Sequence, residues 1–264
     1  MKAPENDPRW SPEVRRVYEH DLREMWDRSI APHVWNAYHA QLDMYLTIAR
    51  RLAPKAILDV GCAQATLALM LAEEGYAVCA NDLRQEFLEY AKSRYDRGNI
   101  EFLAGSVYEI NPSRKFDLVF ANQLIEHVVF PVELLARLRR FLLPGGHLVV
   151  TTPNHRYLRN GLPSHSQLGD PHLYEARQFT ADGDGHFFAY SKEELVGYFR
   201  DAGLRDIRPL FFESPWISGH MKVRYLHRYV PYKVLRAVDW LTAKIPTARA
   251  FLCYQLAVTA RNPV

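Results

Sequence analysis

The sequence predicts an α/β fold in which a mostly parallel sheet is covered by helices on both faces. Three observations predict it. From Ala56 onward, short apolar runs alternate with helical stretches, as strands buried on both faces should read. Five such β-α units follow one another, which a doubly wound sheet requires. The first β-α turn holds Gly61, and Asp82 ends the next strand, so both fall at the carboxyl edge of the sheet, where open sheets of this kind bind ligands. At 264 residues, with 48% hydrophobic and 24% charged side chains, one large domain with its own core is expected.

Residues 1–53 read as a helical extension, a cover for the cofactor or substrate side. Trp26, Trp35, Tyr38, Leu42, Tyr45 and Leu46 recur at three- and four-residue intervals until Pro54 stops the pattern. Residues 54–264 then form the main domain. Its expected strands are Ala56–Val60, Ala77–Asn81, Ile100–Ala104, Phe116–Ala121 and His147–Thr152. Helices fall at Thr66–Glu74, Gln85–Tyr95 and Pro131–Leu142, the last ended by Pro144-Gly145-Gly146. Residues 153–190, rich in His, Gly, Pro and Asp, read as a lid on the substrate side. Within it, His155, His165 and His172 lack ligand spacing and read as solvated. Asp182-Gly-Asp-Gly185 lacks the later ligands of a calcium loop and reads as a turn, and Tyr157, Tyr174, Phe187 and Phe188 read as lid packing.

Ser191 and Glu194 form a capping box for a helix ending at Gly203, and Asp206–Glu213 reads as a strand. Residues 215–250 are an insertion of short helices, with Val234, Leu235, Val238, Leu241 and Ile245 on one stripe, before a last strand at Phe251–Ala260.

The net charge of +3 does not mark a nucleic-acid binder. Three cysteines without a C-x-x-C pair support neither a disulfide framework nor a thiolate zinc site and fit a reducing compartment. The polar N-terminus lacks a signal-peptide core and no segment reaches membrane-span length, so a cytoplasmic protein is expected.

The turn Ile57-Leu-Asp-Val-Gly61-Cys-Ala-Gln-Ala65 carries the ligand argument. Gly61 lets the backbone approach a ligand, and Asp82, 21 residues later, is placed to accept both hydroxyls of a ribose. A dinucleotide fingerprint needs G-x-G-x-x-G, but Ala63 and Ala65 replace glycines and position 66 is Thr. Asp59, two residues before Gly61, repels phosphate and suits a cationic amino-acid group.

Together with Phe116-Asp-Leu-Val-Phe120, Ile125-Glu-His-Val128, Leu143-Pro-Gly-Gly146 and Thr152-Pro-Asn154, these residues resemble the class I S-adenosylmethionine-dependent methyltransferases, in particular the group of ubiquinone-pathway O-methyltransferases. The resemblance runs from about Ile57 to Leu204. It implies a Rossmann-like sheet of seven strands with the last antiparallel. It also implies S-adenosyl-L-methionine as cofactor, with Asp59, Gly61 and Ala63 on the methionine side, Asp82 at the ribose, Ser106 and Val107 at the adenine, Asn122 and Gln123 beneath the cofactor, and Cys62 and Leu83 as further cofactor contacts. Ser106 stands where an acid is usual in the group.

Methyl transfer to a hydroxyl needs a positioned acceptor and a base near neutrality. His127, beside Glu126 after the fourth strand, and His186, before the Tyr190-Ser191 helix start, are the candidates. In relatives with a Glu-x-x-Glu-His motif and a distal His, the set binds a divalent metal; here Gln123 replaces one carboxylate, and no metal is expected. Glu126-His127 could instead only cap the following helix.

Residues 215–250 hold seven Lys or Arg against the single acid Asp239, interleaved with Trp216, Tyr225, Tyr229, Tyr232 and Trp240. This mixture suits an anionic or lipid-linked acceptor, whereas a nucleic-acid groove would want more charge. The expected function is methylation of a small-molecule hydroxyl by a monomer or homodimer. The rival readings are RNA ribose 2'-O-methylation and a catalytically silent cofactor-binding module.

Overall fold

The computed structural model describes residues 1–178, 186 and 188–264; the expected turn at 182–185 and Phe187 lie outside them. The helical extension is two helices rather than one. α1 (Pro12–Asp21) runs through a π-turn at Leu22–Trp26, the chain breaks, and α2 (Pro32–Leu52) follows. Pro32 at the first position of α2 forces that restart, because its ring forbids a preceding helical turn.

The sheet has seven strands, β1 (Ala56–Val60), β2 (Ala77–Asp82), β3 (Asn99–Ala104), β4 (Phe116–Asn122), β5 (Leu142–Pro153), β6 (Arg205–Phe212) and β7 (Gln255–Arg261), in the order β3-β2-β1-β4-β5-β7-β6. Only β7 is antiparallel, pairing with β5 on one side and β6 on the other. The helices α3 (Thr66–Glu73), α4 (Gln85–Arg94), α5 (Pro131–Arg140) and α6 (Lys192–Asp201) connect the strands. α6 carries the expected capping box, with Ser191 and Glu194 each accepting from the other's backbone. Two apolar layers flank the sheet. One joins Leu58, Val119 and Val150 to α5 and α6, and the other joins Ile57, Leu118 and Phe120 to α2 and α3. Strands buried on both faces explain the continuous apolar runs.

Three boundaries depart from the sequence reading. α5 stops at Arg140, and Pro144-Gly145-Gly146 lies inside β5, where the register against β4 shifts. A side chain at Gly146 would sit 3.1 Å from the carbonyl oxygens of Phe116, Asp117 and Leu143, so glycine is what lets this bulged strand stay against β4. β7 starts only at Gln255, because α9 (Arg249–Leu252) closes the segment before it.

The segment between β6 and β7 also holds α7 (Pro215–Ser218) and α8 (Tyr232–Lys244). The expected stripe on α8 is split: Leu235 is buried with Asp239 and Thr242, while Val234, Leu241 and Ile245 are exposed. Helical periodicity identifies a face, but not what covers it.

Candidate active site

The strand order reverses between β1 and β4, the switch point at whose carboxyl ends open sheets of this kind bind ligands. Gly61 leaves β1 at φ +66°, and a Cβ there would come 3.3 Å from the side chain of Leu124, which follows β4. Ala63 and Ala65 also take left-handed φ, +47° and +55°. Their Cβ atoms make that conformation cost on the order of 1 kcal/mol each, which explains why glycine is common at such turns.

Asp82, at the tip of β2, is buried and accepts from the backbone N–H of Ala63 at 2.8 Å and of Arg84 at 2.9 Å. The two β-α turns are therefore tied through one carboxylate, which keeps lone pairs for further donors. Asp59 lies on β1 next to it; burial first, and the charge of Asp82 second, push its carboxyl up to about 7. Burial and the same two acids raise the Cys62 thiol, which makes it a poor nucleophile. Leu83 is exposed at the rim. After β3, the Ser106 hydroxyl accepts from the Tyr108 N–H at 3.3 Å, and buried Val107 is fixed through its carbonyl by Arg137.

Beyond β4, Gln123 takes φ +50° and turns its amide toward β7, donating to Gln255 Oε1 at 2.9 Å and to Thr151 Oγ1 at 3.1 Å. Thr151 in turn donates to Asn122 Oδ1 at 3.4 Å and meets the Tyr45 hydroxyl of α2 at 3.1 Å. Gln123 is thus engaged away from Glu126. A separate 3-10 turn, Ile125–His127, displays Glu126 and His127, and α5 begins after it with Phe130 as its N-cap residue.

Glu126 is fully buried, and neither carboxylate oxygen has a hydrogen-bond partner among the described residues. Burial pushes it up to about 8. His186 Nε2 approaches Glu126 Oε1 at 3.9 Å, and the His127 and His186 rings lie 5.0 Å apart, edge to face. One donor atom from each of Glu126, His127 and His186 falls within 4.8 Å of the others. Two imidazoles and a carboxylate can take up a proton together or hold a divalent cation.

Sequence reasoning passed over several residues of this edge. Glu213, at the end of β6, is buried, accepts from Gln41 Nε2 at 2.6 Å, and is pushed up to about 8 by burial. The Gly61 turn is gripped from behind. Gln64 donates to Glu24 at 2.7 Å, and Arg94 of α4, wholly buried, donates to Asp21 at 3.0 Å and to Thr66 at 3.2 Å. No local pattern flags these residues, since each meets its partner only through the fold. His165 is likewise packed rather than solvated, bonding the Tyr198 hydroxyl at 2.8 Å and the Val129 carbonyl at 3.0 Å. Tyr157 and Phe188 are buried as packing residues.

A family model described as a methyltransferase domain matches residues 33–208. A ubiquinone biosynthesis O-methyltransferase of Xanthomonas euvesicatoria is 27% identical over 194 residues, covering 69% of this chain and 78% of that protein. Among solved structures, a SAM-dependent methyltransferase from Archaeoglobus fulgidus superposes with a TM-score of 0.55 at 16% identity, over 92% of this chain and 98% of its own. Phosphoethanolamine N-methyltransferase 2 of Haemonchus contortus, solved with S-adenosyl-L-methionine, does so with a TM-score of 0.56 at 17% identity, over 94% and 60%. The sheet order with its antiparallel seventh strand and the match across two thirds of the sequence agree: this chain belongs to the methyltransferase-domain family.

Proposed function

We propose that the chain transfers a methyl group from S-adenosyl-L-methionine to a hydroxyl of a small-molecule acceptor. The observation that carries the reading is the placement of two imidazoles and a buried carboxylate after β4, across the sheet's switch point from the Asp82 carboxylate. The donor supplies a methyl carbon on a sulfonium. Asp82 accepts from the ribose hydroxyls and Asp59 meets the cationic amino-acid end. The Gly61–Ala63 backbone, with Cys62, lies along the donor. Ser106 and Val107 flank the adenine, Leu83 is a further cofactor contact, and Asn122 and Gln123 form the floor. As the carbon–sulfur bond breaks and the carbon–oxygen bond forms, the acceptor's proton passes to a ring nitrogen of His127 or His186. Glu126, beside both rings, stabilises the imidazolium once it is ionised.

Calorimetry with S-adenosyl-L-methionine and its demethylated product tests the first half, and NAD binding without either would sink it. Mass spectrometry for the gain of one methyl, with ubiquinone precursors heading the screen because of the Xanthomonas relative's name, tests the second. Cofactor binding with no turnover on any acceptor would favour the silent module.

A second reading is favoured by the buried Glu126 carboxylate, which accepts no hydrogen bond among the described residues: the three side chains hold a divalent cation that grips adjacent hydroxyls. The donor set fits in kind, one carboxylate and two imidazoles, although Gln123 is turned away and adds no charge. Turnover unchanged by a chelator, with no metal in the purified protein, excludes it.

A further inference from the structure

α8 is built the wrong way round for a helix that meets only water. Its inward stripe carries two polar residues, Asp239 and Thr242, beside Leu235, while Val234 (50% exposed), Trp240 (56%), Leu241 (57%) and Ile245 (49%) face out. On a helical wheel these four share one arc with Lys233 and Lys244. Lys244 folds over Trp240, its ammonium 3.5 Å from the ring centroid, so the cation rides at the level of the indole.

Within residues 215–250 the exposed charge has one sign. Lys222, Arg224, Arg228, Lys233, Lys244 and Arg249 are all exposed. The one acid of residues 215–250, Asp239, is buried and paired with Arg236 at 3.0 Å, so it offsets nothing outside. Nearby Tyr229 (78%), Tyr225 (61%) and Phe251 (52%) add exposed aromatic surface.

We infer that the outward face of α8 docks on an anionic lipid surface. Three occupants compete, and the chemistry separates them. A second copy pairing through the same face would set Lys233 and Lys244 against their own counterparts, which opposes a two-fold contact. Single-stranded nucleic acid would use the aromatic rings and the cations but leave Val234, Leu241 and Ile245 against water. A lipid surface satisfies all three kinds of side chain at once. Aliphatic groups enter the acyl boundary, Trp240 sits at the headgroup level with its N–H wet, and the cations meet the phosphates. No helix among the described residues is long and apolar enough to cross a membrane, so the contact is interfacial.

This inference does not rest on the proposed acceptor chemistry, because the test reads binding alone. The full chain is sedimented with phosphatidylcholine vesicles with and without phosphatidylglycerol, at low and high salt. Binding should be at least about tenfold tighter to the anionic vesicles and weaken with salt. Trp240→Ser with Leu241→Ser, and separately Lys233→Glu with Lys244→Glu, should each weaken it about tenfold or more. All four positions are exposed, so an unchanged thermal midpoint checks that the variants fold. Equal affinity for both vesicle types, variants that bind like the parent, or binding to a single-stranded oligonucleotide but not to vesicles would overturn the assignment. So would self-association in sedimentation velocity that disappears with the Leu241 change while vesicles are ignored.

Discussion

At the scale of single residues, two side chains separate binding from chemistry. Asp82 holds the N–H groups of Ala63 and Arg84 and, in the proposed complex, the ribose. Asp82→Ala should weaken S-adenosyl-L-methionine binding about 10- to 100-fold by calorimetry, because hydrogen bonds to a charged group contribute roughly 1.5–3 kcal/mol. His127→Ala should do the reverse, lowering turnover by about 10²- to 10⁴-fold while cofactor affinity moves by less than about twofold. Parental kinetics in the His127 variant would return its ring to a packing role against His186. Asp59, Gly61 and Asp82 could be singled out from the sequence because their spacing is set by one β-α-β unit. The left-handed φ of Ala63 and Ala65 could not, since alanine advertises no such conformation.

At the scale of elements, the join between α1, the Gly61 turn and α4 depends on one buried ion pair. Arg94 and Asp21 are both wholly buried, and Tyr90 and Trp26 donate to the same carboxylate at 2.8 Å each. Desolvation alone would raise the Asp21 carboxyl, and Arg94 opposes that rise. Arg94→Met should therefore destabilise the protein by about 3–5 kcal/mol in urea unfolding, since it strands a buried carboxylate, and should also loosen the cofactor turn. A loss below about 1 kcal/mol would show that water or another donor replaces the guanidinium. From the sequence, Arg94 is an ordinary basic residue in the last turn of a helix. α8 teaches the same lesson in reverse, its apolar period being legible and its direction not.

At the scale of the molecule, three buried acids on different elements give a joint pH signature. Asp59 is raised from 3.8 to about 7, and Glu126 and Glu213 from 4.5 to about 8. Each is raised above its unfolded value, so its contribution to stability is fully present below about pH 4 and is lost as pH climbs through the folded value. Buried histidines work oppositely at lower pH; His227, depressed to about 4 chiefly by desolvation, costs stability as pH falls from 6.5 toward 4, because the unfolded chain takes up the proton first. Between pH 6.5 and 8 the acids dominate, and the urea midpoint of the ligand-free protein should fall across that window, by up to about 1.4 kcal/mol per pH unit for each titrating group. Glu126→Gln and Glu213→Gln should each flatten the fall; a profile level over this range refutes the shared burial effect.

The sequence by itself determined the class of fold, the first five strands and the Asp59-Gly61-Asp82 constellation, because apolar periodicity and short-range spacing follow from local geometry. It also set the capping box at Ser191. Only the tertiary structure decided which groups face each other over long separations: Gln123 with Gln255, Gln41 with Glu213 and Asp21 with Arg94. Such pairs leave no periodic trace, since their partners lie on elements whose mutual placement is fixed by burying the two faces of one sheet, and that is a property of the whole chain.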